Sequence, residues 1–149
     1  MWNGARIAVV LPTFGERDSI RACIEGFFAL GYVDDVIVVN NNAAAGTSEE
    51  VAHTRAREVH ESEQGYGAAI QRGFRETDAE FVIVCEPDGT FDPRDTLKLL
   101  AYSDDFGLVV GTRTAKEFIW QGANMRLFLK WGNVCVAKLM EVLFNTVTL

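Results

Sequence analysis

Several features that mark a protein's class at sight are scarce in this chain. It has three cysteines in 149 residues, Cys23, Cys85 and Cys135, in an odd number and without CxxC spacing, which excludes a disulfide framework and a thiolate zinc site. They read as small buried hydrophobes in a reducing compartment. The two histidines, His53 and His60, have no metal-ligating partner at a suitable spacing, and neither is assigned a role. No run reaches the roughly 18 apolar residues that span a bilayer. The nearest stretch, Met125 to Phe144, is broken by Arg126, Lys130, Lys138 and Glu141. The apolar run before Pro12 is too short for a signal sequence, so the chain is expected to be cytoplasmic. Positive charge is scarce as well: 14 Lys+Arg against 21 Asp+Glu leave a net charge of −7, with no basic stripe to follow a nucleic-acid backbone. A small phosphate-bearing molecule stays open as a ligand if a few cations or a metal converge on it.

What is present is core-forming material, with 48% apolar and 23% charged residues, enough for one folded domain over 1–149. Short β-branched runs alternate with longer amphipathic stretches, the pattern of an α/β protein with a mainly parallel sheet flanked by helices. Strands are expected from Arg6 to Leu11, Asp35 to Val39, Glu58 to Glu61, Glu80 to Cys85 and Phe106 to Gly111. Helices are expected from Asp18 to Leu30 (closed by Gly31), Ser48 to Arg57, Gly67 to Thr77, Pro93 to Tyr102 and Ala123 to Phe144. Thr47 with Glu50 reads as a capping box, and Asp92 before Pro93 as an N-cap with proline in the first helical position. Right-handed crossovers would gather the loops after the strands on one edge of the sheet. A strand order 3-2-1-4 would set the first and fourth of those loops across one crevice, where open α/β sheets bind nucleotides.

The polar segments at that edge carry the chemistry. Glu86-Pro87-Asp88 sets two carboxylates two residues apart around a stiffening proline. This suits a hard cation, Mg²⁺ or Mn²⁺, whose shell is completed by substrate phosphate and water; Asp88 and Glu86 are the candidate ligands and Thr90 a third. An acidic Pro-Asp-Gly turn is the plainer reading of the same residues. Gly65-Tyr66-Gly67-Ala68-Ala69-Ile70 lacks the last glycine of the dinucleotide fingerprint, which disfavours a Rossmann dehydrogenase. Two glycines at a helix start still permit close backbone approach to phosphate, or form a simple turn. Asn40, Asn41 and Asn42 offer amides to a nucleobase or form Asx turns. Glu16 reads as an acceptor for base or ribose, or as an acidic residue ahead of a helix.

Taken in order, IAVVLPTFGERDSI, VIVVNNNAAAGT, QGYGAAIQRGF, FVIVCEPDGTFDP, GLVVGTR and NMRLFLKWGN resemble the family 2 glycosyltransferases of the GT-A fold. The chain looks most like their dolichyl- or polyprenyl-phosphate sugar synthase branch, over about Arg6 to the end. The resemblance implies a nucleotide-diphosphate-sugar donor, a divalent cation at a DxD-type motif that appears here as Glu86-Pro87-Asp88, and transfer with inversion. It places Pro12, Thr13, Glu16 and Asn41 around the nucleoside and Gly67 near the donor. Arg113 falls near a donor or acceptor phosphate and Arg126 near the acceptor phosphate, so that Asp88, Arg113 and Arg126 are the expected catalytic set. Family members often carry Asp-Asp-Gly-Ser where this chain has Asn40-Asn41-Asn42-Ala43, which replaces charge with amides.

A lipid phosphate acceptor is already an anion and needs no strong base, whereas a sugar hydroxyl does; no clear base stands out in the sequence, Asp92 and Asp105 reading as capping or loop carboxylates. The family usually continues beyond Leu149 into an acceptor-side segment, so the chain is expected to be truncated. From that follows the alternative of a nucleotide-sugar-binding module without turnover, completed by a partner chain. A sugar nucleotidyltransferase would need a glycine-rich loop with Arg directly after the first strand, which is not there. Arg126 and Lys130 beside Phe128, Leu129 and Trp131 read either as an interfacial segment at the cytoplasmic membrane face or as a helix covering the sheet. Flotation with anionic liposomes separates the two: an interfacial segment carries the protein up with the vesicles at low salt, and protein left wholly in the soluble fraction contradicts it.

Overall fold

The computed structural model describes residues 2–111, 135–136 and 138–139. The chain divides into two compact units, Met1–Val109 and Val110–Leu149, and the fold described here is that of the first. Its elements run β1 (Ile7–Thr13), α1 (Arg17–Ala29), β2 (Asp35–Asn40), α2 (Thr47–Ala52), β3 (Arg57–His60), α3 (Tyr66–Arg75), β4 (Phe81–Val84), a 3-10 turn (Pro93–Asp95) and α4 (Thr96–Leu100). The sheet is parallel throughout with order β3-β2-β1-β4, the order expected from the sequence.

All seven residues of β1 are buried, because it lies between two strands and under helices on both faces. Its alternation decides which layer each side chain meets. Ile7, Val9 and Leu11, with Val36 and Val38 of β2, pack against Ile20, Ile24 and Phe27 of α1 and Val51 of α2. Ala8 and Val10, with Ile37 and Val39, pack against Ala69 of α3. The α1 residues recur at i, i+4 and i+7, one helical stripe, and each fully buried aliphatic of this kind stabilises by about 1.5–3 kcal/mol. Gly31, at φ +78°, closes the helix as expected.

Three local expectations change. The N-cap of α2 is Gly46 at φ +90°, not Thr47; Thr47 lies inside the helix with its hydroxyl buried, so no capping box forms. That helix also ends at Ala52 rather than Arg57, where Thr54 Oγ1 donates to the Val51 carbonyl at 2.7 Å and accepts from Ala56 N at 3.1 Å, a turn in place of helix. Phe106–Gly111 is not a strand: no neighbour pairs with it among the described residues, and Leu108 and Val110 stand exposed. A β-branched run becomes a strand only when a ladder partner is within reach. Asp92 does cap as expected, accepting from Arg94 N, but over a 3-10 turn that α4 then continues.

The other face is held by a close approach. A Cβ on Gly73 of α3 would run into Val10 Cγ1 and stand 3.0 Å from Cγ2, so only glycine lets this helix lie on β1. Gly73→Ala is therefore expected to destabilise by about 1–3 kcal/mol in urea unfolding. Val10→Ala in the same chain should cost less than the two changes summed, because it removes the atoms in the way.

Candidate active site at the carboxyl ends of the strands

The end of β1 carries a proline, Pro12, in a central strand, which is tolerable only if no ladder bond is lost. Even-numbered residues of β1 face β4, since Arg6 O and Val10 O accept from Phe81 N and Cys85 N. The nitrogen of Pro12 therefore points beyond Val84, the last paired residue of β4. Thr13 is buried, and its hydroxyl donates to Glu16 Oε2 at 3.0 Å. The same oxygen accepts from Phe14 N at 2.7 Å and Gly15 N at 2.8 Å. Glu16 thus braces its own loop with one carboxylate oxygen, while Oε1 accepts no hydrogen bond among the described residues.

The acidic loop leaves β4 opposite. Ser19, in the first turn of α1, donates to the Pro87 carbonyl at 2.5 Å, fastening the loop after β4 to the helix that follows β1. The bond sets the loop after β4 beside the start of α1. Within the acidic loop Asp88 Oδ1 accepts from Thr90 N at 2.8 Å and from its hydroxyl at 2.7 Å, with Gly89 at φ +79° making the turn. Asp88 Oδ2 and the half-buried Glu86 carboxylate make no hydrogen bond among the described residues. No group of three or more His, Cys, Asp or Glu that could hold a metal occurs among those residues. Two carboxylates with unused oxygens fit a cation whose remaining ligands come from a diphosphate and water, and do not fit a site built from protein alone. The Thr90 hydroxyl is engaged with Asp88 and retains only acceptor capacity toward a cation.

The three asparagines divide their work. Asn41 is 5% exposed and its amide is saturated: Nδ2 donates to Glu61 O at 2.8 Å and Glu63 O at 2.7 Å, while Oδ1 accepts from Gly65 N at 2.8 Å. It ties the end of β2 to the loop that opens α3 and offers nothing further to a nucleoside. Asn40 is engaged as well, accepting from Ala43 N at 2.9 Å and donating to Glu58 at 2.8 Å. Asn42, at φ +66° and exposed, is the amide that points to solvent. It lines a cleft of about 570 Å³ with Ala43, His60, Glu61, Gln64 and Arg72. Gly67 sits in the first turn of α3 with a normal backbone and nothing within 4 Å of where a Cβ would stand. The fold does not require glycine there, and its absent side chain leaves the helix start open to close approach.

Arg113 and Arg126, and most of the expected helix from Ala123 to Phe144, lie outside the described residues. Sequence reasoning missed Ser19, whose partner is 68 residues away and leaves no local signal. It also passed over His60 and Arg72, which become cleft residues only once β3 and α3 are laid beside β2.

This arrangement has known relatives. The sequence profile of "Glycosyl transferase family 2" matches residues 8–138. The chain belongs to glycosyl transferase family 2. It is 35% identical over 111 residues to an uncharacterized glycosyltransferase of Mycobacterium tuberculosis, covering 74% of this chain and 50% of that protein. It is 27% identical over 146 residues to the low-salt glycan biosynthesis hexosyltransferase Agl6 of Haloferax volcanii, covering 93% and 35%. A dolichol-phosphate mannosyltransferase of Saccharomyces cerevisiae matches at 26% over 119 residues, 72% and 45%. This family 2 chain thus spans half or less of these relatives' lengths. Among solved structures, M. tuberculosis glucosyl-3-phosphoglycerate synthase superposes with TM-score 0.61 at 25% identity, covering 67% of this chain and 40% of that one. The same enzyme has been solved with Mn²⁺, UDP and phosphoglyceric acid, at TM-score 0.60 and 24% identity over 67% and 39%, a likeness of fold.

The contrast between neighbouring amides is testable. Asn41→Ala leaves two carbonyls and one N–H without partners and should cost about 2–4 kcal/mol in denaturant unfolding. Asn42→Gly keeps the left-handed backbone and should stay within about 0.5 kcal/mol of the parent.

Proposed function

We propose that the protein is a metal-dependent, inverting glycosyltransferase that moves a sugar from a nucleotide-diphosphate sugar to a polyprenyl or dolichyl phosphate. The observation that carries this reading is the Ser19–Pro87 fastening in a family 2 chain, which sets the braced loop after β1 against a loop whose Glu86 carboxylate and Asp88 Oδ2 are unengaged among the described residues. A bound Mg²⁺ or Mn²⁺ supplies the positive charge that a departing diphosphate needs. Glu86 and Asp88 would hold it, and Thr90 keeps the Asp88 carboxylate in one orientation beforehand. In this reading the loop from Pro12 to Glu16 and the exposed Asn42 would meet the nucleoside, and the open first turn of α3 at Gly67 the donor. Arg113 and Arg126 are assigned to the donor and acceptor phosphates by the family resemblance.

The acceptor class is supported by the yeast relative and by chemistry. A phosphate monoester arrives ionised, so attack on the sugar carbon needs no strong base from the protein. Such an acceptor would be met at the cytoplasmic membrane face. No helix among the described residues is long and apolar enough to cross a membrane. The second reading is a nucleotide-sugar-binding module that takes up the donor without turnover. Transfer of labelled sugar to polyprenyl phosphate supports the first, and donor binding without transfer supports the second.

UDP and Mn²⁺, the ligands of the solved neighbour, are the first probes, followed by other nucleotides and their sugars. In a thermal-shift titration a ligand at 100 times its Kd stabilises by roughly 2.7 kcal/mol, and chelation of the cation should abolish the shift. Asp88→Asn should weaken metal-dependent nucleotide binding by about tenfold to a hundredfold. The unliganded mutant should melt at the same temperature or higher, because the change removes one negative charge from a chain of net charge −7. Equal metal-dependent affinity in parent and mutant removes the metal assignment.

A further inference from the structure

Two cysteines sit on the seam that holds the acidic loop, and the transfer reaction uses neither. Cys23 lies on α1 four residues beyond Ser19, on the helix face that reaches the Pro87 carbonyl. Cys85 follows β4 two residues before Pro87, is 7% exposed, and donates its thiol proton to the Glu86 carbonyl at 3.3 Å. Half-buried Cys23 packs on the apolar cluster that contains Cys85. Beside that packing, each thiol is the leading influence on the other's acidity, lowering Cys23 and raising Cys85. They come from segments 62 residues apart, so the contact is made by the fold and not by the turn.

We propose that Cys23 and Cys85 are a redox modification site, which a peroxide closes to an intramolecular disulfide that reshapes the acidic loop. Cys23, the more accessible sulfur, attacks the peroxide; the O–O bond breaks, the sulfur gains one oxygen as sulfenic acid, and water leaves, or an alcohol from an organic peroxide. Cys85 Sγ then attacks that sulfur. The S–S bond forms, the S–O bond breaks, and the oxygen departs as water with the Cys85 proton. The two thiols lose two electrons and the peroxide gains them. A dithiol reductant reverses the bond by exchange. Closure removes the thiol proton that binds the Glu86 carbonyl and fixes the sulfur of the adjoining residue to α1, so Glu86 and Asp88 are re-aimed. The cross-link itself is independent of the proposed function; its effect on the loop is read through that function.

The test uses the full chain with Cys135→Ser, which removes the exposed third thiol. After one equivalent of hydrogen peroxide, intact mass should fall by two hydrogens, digestion should yield a peptide joining Cys23 to Cys85, and dithiothreitol should restore the parent mass. Cys23→Ser in that background should give neither change, and it avoids altering the more buried Cys85. UDP affinity in Mn²⁺, measured by calorimetry, should fall about tenfold or more on oxidation and recover on reduction. Thiols that stay reduced, or a sulfinic acid on Cys23 without the joined peptide, overturn the site. A joined peptide with unchanged UDP affinity overturns its control of the loop. If the reduced protein binds no nucleotide, the donor reading fails, while the mass and peptide still decide the thiol pair.

Discussion

The structure depends on the complete burial of β1. A strand with water on neither face and neighbours on both sides must find partners for every backbone group in β2 and β4. Parallel pairing on both sides sends the chain back over the sheet through helices, α1 and α2 on one face and α3 on the other. Each return delivers the next loop to the same edge. The crevice is therefore a consequence of how the core is closed, and its residues come from segments remote in sequence because the topology reverses direction beside β1.

That edge is organised by bracing rather than by free functional groups. Glu16 gathers a hydroxyl and two N–H groups on one oxygen, Asn41 joins two carbonyls and an N–H, and Ser19 reaches across to Pro87. These bonds fix three loops that glycine, proline and asparagine would otherwise leave with several turns of similar energy. Preorganisation of this kind is what a site needs in order to hold a charged diphosphate without first ordering itself. The carboxylates kept out of the bracing, Glu86 and half of Asp88, are the groups best suited to meet a cation.

Most of the fold was legible because its signals are local. The runs IAVVL, DVIVV and FVIV are too apolar for a one-sided sheet, and the handedness rule turns their order into a topology. Where the outcome depended on a distant partner, sequence reasoning went astray. Phe106–Gly111 has strand composition but pairs with no strand among the described residues, while Thr47 has a capping residue's chemistry and Gly46 holds the N-cap position. The site follows the same division. Glu86 and Asp88 are marked by their spacing, but an amide or carboxylate that binds a ligand and one that ties down a loop are the same residue type. Only the carbonyls of Glu61 and Glu63, 20 and 22 residues onward, show which work Asn41 does.

This sorting also explains why amides can stand where family 2 members often carry aspartates. An aspartate at position 41 could accept from Gly65 N but would face the carbonyl oxygens of Glu61 and Glu63 with no proton to offer. Asparagine satisfies all three groups and removes a negative charge from the neighbourhood of a ligand that is itself an anion. In a chain of net charge −7, an amide at position 41 adds no further carboxylate beside Glu58, Glu61 and Glu63.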